Sequence, residues 1–132
     1  MDGSGYKTIH VTAAFIENDG RVLICRRKMK DGNGGKWEFP GGKVEPGETK
    51  KACLERELKE ELSLTAAAGN EIARVRHEHE GKTYEITFFE AVIAGGELRL
   101  SEHTDAAWVK REELGNYDLM SADTEFVRFL LE

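Results

Sequence analysis

Three glutamates, Glu57, Glu60 and Glu61, recur at spacings of three and four residues. On a helix such spacings gather side chains on one patch, here opposite a stripe formed by Leu54, Leu58 and Leu62. Like charges so gathered repel, at ~0.2–0.5 kcal/mol per exposed pair, with no structural return unless a cation occupies the patch. Oxygen-only ligands suit a hard divalent ion, Mg²⁺ or Mn²⁺, which is commonly shared among a few carboxylates, waters and substrate phosphates. A plain solvated face is the competing reading, because Lys51/Glu55 and Glu55/Lys59 form ordinary i,i+4 pairs on the same helix. The preceding segment favours the metal. Gly41 and Gly42 let backbone come close to a ligand, and Glu48 reaches Arg56 if the loop folds back onto the helix.

These groups need a helix, a loop before it and strands to hold both. Thr49 can cap the helix, which the leucine stripe carries to about Leu62, although Ala52 stands where a full capping box has Glu or Gln. Upstream, β-branched and aromatic residues in Lys7–Glu17 and Arg21–Arg27 flank Asn18-Asp19-Gly20 and predict a β-hairpin with positive φ angles at its turn. The glycines of Lys30–Lys36 predict a mobile loop. Trp37-Glu38-Phe39 alternates as a short strand, which Pro40-Gly41-Gly42 breaks before a loop to Gly47. After Gly69-Asn70, Glu71–Glu80 and Lys82–Ala94 read as strands about a turn at Gly81. Gly95-Gly96 then leads to Glu97-Leu98-Arg99-Leu100, and Ala106–Lys110 forms a further strand. Phe126, Val127, Leu130 and Leu131 share one face of a final helix with Ser121 as its candidate cap. Strands interrupted by one helix and finished by another predict an α+β fold with α/β/α layering, a mixed sheet between helices, in a single domain over residues 1–132.

Among 132 residues, 19 Lys and Arg stand against 25 Asp and Glu, a net charge of −6. That balance is wrong for coating a phosphate backbone, so bulk nucleic acid is excluded as a partner. No apolar run approaches the ~18 residues of a membrane span, and Met1–Lys7 lacks the apolar stretch of a secretory signal. No membrane role is expected, and the sequence reads as a soluble, cytoplasmic protein. Cys25 and Cys53 make neither a CxxC pair nor a ligand cluster and read as buried structural thiols in a reducing compartment.

The stretch Gly42–Leu64 resembles the Nudix box: Gly, five residues, Glu, seven residues, then Arg-Glu-aliphatic-any-Glu-Glu-any-Gly-aliphatic. Gly42, Glu48, Arg56, Glu57, Leu58, Glu60, Glu61 and Leu64 fall in register, and Ser63 stands where the family has Gly. That Gly ends the helix in a left-handed conformation, so Ser63 bears on the helix exit and touches no ligand. Trp37-Glu38-Phe39-Pro40-Gly41-Gly42 is similar to the lead-in of MutT-type nucleoside triphosphate pyrophosphohydrolases. Asp118-Leu119-Met120-Ser121-Ala122-Asp123 resembles the tail of their CTP and oxidised-nucleotide branch.

The resemblance implies Mg²⁺-dependent cleavage of a small-molecule nucleoside triphosphate to the monophosphate and pyrophosphate, with monomer or homodimer left open. It assigns Glu57, Glu60 and Glu61 to the metal, with the Gly41 carbonyl as a further oxygen, and leaves Arg56 and Glu48 to brace loop against helix. MutT-type enzymes carry a catalytic or metal-binding Glu on the loop that here holds Glu102, with His103, Glu60 and Glu61 as rivals for the general base. Arg27 is a candidate for a substrate phosphate, its rival role a surface ion pair. Phe39 either stacks beneath a base or packs in the core. Gly42 brings backbone to the substrate, and Tyr84, on a strand face with Phe88, is a candidate pocket residue. Asp123 either reads a base edge, accepting from an exocyclic amine and donating if protonated, or serves as charge at a helix N-terminus. His10, His77 and His79 show no ligand spacing and read as surface or strand-face residues.

Overall fold

The computed structural model describes residues 7–29 and 34–132. In chain order its strands are β1 (Thr8–Phe15), β2 (Glu17–Asn18), β3 (Arg21–Arg27), β4 (Trp37–Glu38) and β5 (Gly41–Lys43). Helix α1 (Lys50–Leu62) follows, then β6 (Leu64–His79), β7 (Lys82–Gly96), β8 (His103–Lys110), a 3-10 helix (Arg111–Asn116) and α2 (Ser121–Leu131). One mixed sheet has the order β5-β1-β7-β6, in which only β1 and β7 run parallel. A second, antiparallel sheet is built on β3, which pairs with β2, β4 and β8.

Alternation along the strands separates two cores. Ala13, Phe15, Val22, Ile24 and Phe88 pack with Phe126 and Val127 of α2, whereas Ala14, Ile16, Leu23, Cys25 and Phe89 pack with Leu54, Leu58 and Leu62 of α1. The helices therefore lie on opposite faces, and strands covered on both faces read as near-continuous apolar runs. This is the expected α/β/α layering, with the strands divided between two sheets. Both cysteines are buried and free. Among the described residues no helix is long and apolar enough to cross a membrane.

Helix α1 starts as its sequence demands. Thr49 Oγ1 accepts the Ala52 N–H at 3.1 Å, and Lys50 Nζ reaches Thr87 Oγ1 at 3.2 Å, tying the first turn to β7. At the other end Ser63 adopts φ 59° and ψ 28°, and its N–H bonds to carbonyls of the last turn. The left-handed exit is therefore kept without glycine, at the steric cost of a Cβ. Ser63→Gly is expected to stabilise the protein by about 0.5–1 kcal/mol, the left-handed penalty less the extra unfolded-state freedom of glycine. Denaturant titration of both proteins checks this.

Several local expectations change. The turn at Asp19-Gly20 has both φ angles positive, but the hairpin about it is short, with Glu17 and Asn18 pairing with Val22 and Arg21. β1 instead pairs with β5 and β7, because its residues are buried on both faces and belong inside a sheet. Gly41-Gly42 forms an edge strand on β1 where a loop was expected. β6 begins at Leu64, taking Gly69-Asn70 through register shifts. Glu97–Leu100 forms no strand. Ser121 is the first residue of α2 and Met120 its N-cap, with no side-chain cap bond. Lys30–Asn33 of the glycine loop lie outside the described residues.

Candidate functional site

The carboxylate patch is assembled around one guanidinium. Arg56 Nε and Nη2 donate to the two oxygens of Glu48, both at 2.8 Å, and Nη1 donates to Glu57 at 2.9 Å and Glu60 at 3.1 Å. Nη2 also reaches the Lys43 carbonyl at 3.2 Å, so the loop is folded back and held on the helix. The bidentate fork drops the Glu48 carboxyl to about 2, aided by the Glu45 N–H, and raises the Arg56 pKa. Glu61 is enclosed, its side chain 13% exposed. Burial, then the hydrogen bond and charge of Glu57 and the charges of Glu38 and Glu102, push its carboxyl up to about 9.

Glu57, Glu60, Glu61 and Glu102 line a cleft of about 500 Å³ with Gly41 and Gly42. Exposed Glu102 sits on a segment stitched to the end of α1. The Arg99 N–H donates to Leu62 O at 2.9 Å and the Ser101 N–H to Glu61 O at 3.2 Å. Ser101 Oγ donates to Glu60 O at 3.2 Å. These bonds satisfy carbonyls that a helix end leaves open.

A second cavity, about 660 Å³, adjoins the first, and Arg27, Glu38, Gly41, Gly42, Lys43 and Glu61 line both. Tyr84 and Ile86 form part of its wall, as do Phe39 and Asp123. Asp123 is buried; desolvation and the charge of Glu38 hold its carboxyl well above the usual range, while Oδ2 accepts the Phe39 N–H at 3.3 Å. Asp123 stands in the first turn of α2, where burial and Glu38 disfavour the ionised form that the helix N-terminus would favour. Phe39 is 3% exposed and meets Phe88 and Phe126 edge-on, which makes it first a core residue. Arg27 Nη1 donates to Glu38 Oε1 at 3.1 Å.

Two features escape the sequence reading. Glu38, noted there only within its strand, forms a wall common to both cavities and is held by Arg27 and by His103 Nε2 at 2.9 Å. His77 and His79, with rings stacked at 6.3 Å, lie on a strand face that is the wall of the second cavity. A signal for the latter exists: a two-residue turn at Glu80-Gly81 fixes the register that sets His77 opposite Tyr84. His10 lies elsewhere, 3.5 Å from Glu85.

Among the described residues no three ligand groups stand close enough to enclose a cation unaided. The donor set nevertheless fits a hard divalent ion, which needs only one or two carboxylates beside water and phosphate. Burial, and after it the neighbouring carboxylates, disfavour the ionised form of Glu61, a cost that a bound cation would offset. The approach over the glycines is narrow, since a Cβ on Gly42 would lie 2.6 and 2.7 Å from the Glu57 carboxylate oxygens. Gly42→Ala is therefore expected to displace that carboxylate and lower kcat/KM by roughly 100-fold, the scale of a ~1 Å misplacement, with little change in Tm. Gly41→Ala is different: its Cβ would strike the Thr12 carbonyl and part β5 from β1, so Tm falls steeply. Steady-state kinetics and thermal melts of the two variants separate these effects.

A layered α/β/α sandwich that presents a glutamate-lined helix beneath a glycine edge strand defines the class. The NUDIX domain profile matches residues 7–130, and the chain belongs to the Nudix family of hydrolases. It is 38% identical to the CTP pyrophosphohydrolase of Escherichia coli K12 over 117 residues, covering 89% of this chain and 87% of that protein. With the E. coli nucleoside triphosphatase NudI it shares 35% identity over 133 aligned positions, covering 89% and 93%. The crystal structure of a MutT protein from Methanosarcina mazei Go1 superposes with a TM-score of 0.84 at 32% identity, covering 95% of this chain and 94% of that one.

Proposed function

We propose that this chain is a divalent-cation-dependent pyrophosphohydrolase that cleaves a nucleoside triphosphate to the monophosphate and pyrophosphate. Its expected substrates are cytosine triphosphates or oxidised guanine triphosphates. The observation that carries this reading is the shared wall: the acidic cleft adjoins a second cavity that Asp123 helps to line. A polyphosphate lying in the first places its base in the second. The names of the two curated relatives support a triphosphate substrate.

In this reading Glu57, Glu60, Glu61, Glu102 and the Gly41 carbonyl hold Mg²⁺ or Mn²⁺, with Arg56 and Glu48 keeping Glu57 and the loop in place. The cation supplies charge neutralisation for the polyphosphate and acidifies water. Glu102, exposed at the cleft, takes the proton of the attacking water, and Arg27 meets a phosphate across it. Gly42 admits the substrate close to backbone, Tyr84 and Phe39 bound the base, and Asp123 reads its edge as both donor and acceptor.

The test is pyrophosphate release from a panel of ribo- and deoxyribonucleoside triphosphates, ADP-ribose and dinucleoside polyphosphates, with Mg²⁺ and with chelator. Mg²⁺-dependent turnover of triphosphates is the expected result. Preference for ADP-ribose or a dinucleoside polyphosphate would replace the substrate assignment, and binding without turnover would make the chain a nucleotide sensor.

A further inference from the structure

Buried His103 lies between the shared wall, at Glu38, and the carboxylate cluster, at Glu61. Its side chain is 2% exposed. Nε2 lies 2.9 Å from Glu38 Oε2, and against a carboxylate this nitrogen is the donor. Nδ1 is buried without a hydrogen-bond partner among the described residues, and it points at Glu61 Oε2, 4.0 Å away. That separation is too long for a hydrogen bond, yet buried ring nitrogens are seldom left without one.

The main chain around this gap is fixed. Ser101, two residues before His103, is bonded through N and Oγ to the carbonyls of Glu61 and Glu60, and β8 pairs with β3 from His103 onward, with one register shift between the His103 and Asp105 pairs. The Glu61 side chain, which also lines the cleft, carries the torsions that would close the distance. On the far side Glu38 is anchored by Arg27 Nη1 at 3.1 Å. A line of contacts thus runs Arg27, Glu38, His103, Glu61, from the wall of the second cavity into the acidic cleft.

We propose that His103 is a positioning residue whose two ring nitrogens set two different things. Nε2 fixes Glu38 for the nucleotide, and Nδ1 orients Glu61 for the divalent cation. The ring is enclosed and one nitrogen is already engaged, which suits it to hold other groups in place and not to meet substrate itself. Outer-shell partners of this kind tune metal affinity by about 10–100-fold. This rests on the reading of Glu57, Glu60 and Glu61 as the cation site.

Two near-isosteric replacements separate the nitrogens. The amide of His103→Asn can stand in for Nδ1, and the longer amide of His103→Gln for Nε2; either amide donates or accepts. The probe is MnCl₂ alone, with binding to nucleotide-free protein measured from the EPR signal of free Mn²⁺. KM and kcat are then measured for the triphosphate that the parent cleaves best. His103→Gln is expected to weaken Mn²⁺ binding about tenfold or more while KM stays near the parent value. His103→Asn should retain Mn²⁺ affinity and raise KM. Equal Mn²⁺ affinity in parent and both variants, or equal losses in both, overturns the inference whatever happens to Tm. Should either histidine variant fail to fold, Glu38→Ala removes the Nε2 partner and keeps the imidazole, which should raise KM and leave Mn²⁺ affinity at the parent value; weakened Mn²⁺ binding there overturns the inference as well. A parent that binds no Mn²⁺ removes the cation site itself, a failure distinct from that of the histidine.

Discussion

Replacing Glu61 by glutamine will remove most turnover and, in chelator, make the protein more stable at pH 8 than its parent. The carboxyl titrates at about 9 in the folded chain, against an ordinary value of 4.5. Between those values the native state keeps a proton that the unfolded chain has lost. The stability this contributes is fully present below about pH 4.5, declines as pH rises, and is lost by about 9. Glutamine has the size of the protonated acid and does not titrate, so the variant's melting temperature should fall less between pH 5 and 9. Mg²⁺ should restore the parent at high pH by binding the ionised form, and do little for the variant. Loss of a charge-stabilising ligand is worth several kcal/mol, which is roughly 100- to 1000-fold in kcat. Glu60→Gln is expected to lose turnover too, without the gain in stability, because its side chain is 60% exposed. Melts across pH with and without Mg²⁺, paired with kcat, decide this. Unaltered turnover in both variants would dismiss the metal assignment.

Asp123→Ala should change the choice among triphosphates far more than the Mg²⁺ requirement. Burial and the charge of Glu38 raise the pKa of this carboxyl, and its protonated form can donate to one base and accept from another. Without it the wrong base no longer leaves a buried polar group unpaired, an effect of ~1–3 kcal/mol, or roughly 5- to 150-fold in relative kcat/KM. Asp123→Asn is the control. It can still accept the Phe39 N–H, and since the parent residue contributes little charge to α2, stability should be held. The measurement is kcat/KM for cytosine, guanine and oxidised-guanine triphosphates, with Tm for each protein. Unchanged ratios with a lowered Tm would return Asp123 to a packing role.

What the sequence made legible is what short-range physics controls. The leucine stripe, the Thr49 cap and the Asp19-Gly20 turn each rest on residues a few positions apart, and each is present. The partner of β1 was not legible, because a strand buried on both faces carries no mark of which edge it joins, and its parallel neighbour lies beyond a helix and five other strands. The Glu48–Arg56 contact could be anticipated from the loop and helix spacing. The part played by Glu38 could not, since its significance comes from β4 sitting between two cavities and from a histidine that is remote in the chain. Ser121 misled because a good capping residue lay one position inside the helix, where Met120 supplies the cap backbone.

The pairing of β1 with β7 also says something about how the protein comes into being. Each matched pair is separated by 75 positions, from Thr8 with Thr83 to Phe15 with Glu90. Contacts of that span close slowly, because a long loop must be organised before any bond repays the loss of freedom. During synthesis β1 can meet β5 soon after it is made, but its β7 edge must wait for more than half of the chain to follow. The acidic cleft is completed only by Glu102 and the second cavity only by Asp123. On the proposed function, fragments that end before these residues should show no nucleotide hydrolysis, and ribosome-bound fragments released before residue 83 should be the ones that chaperones hold longest.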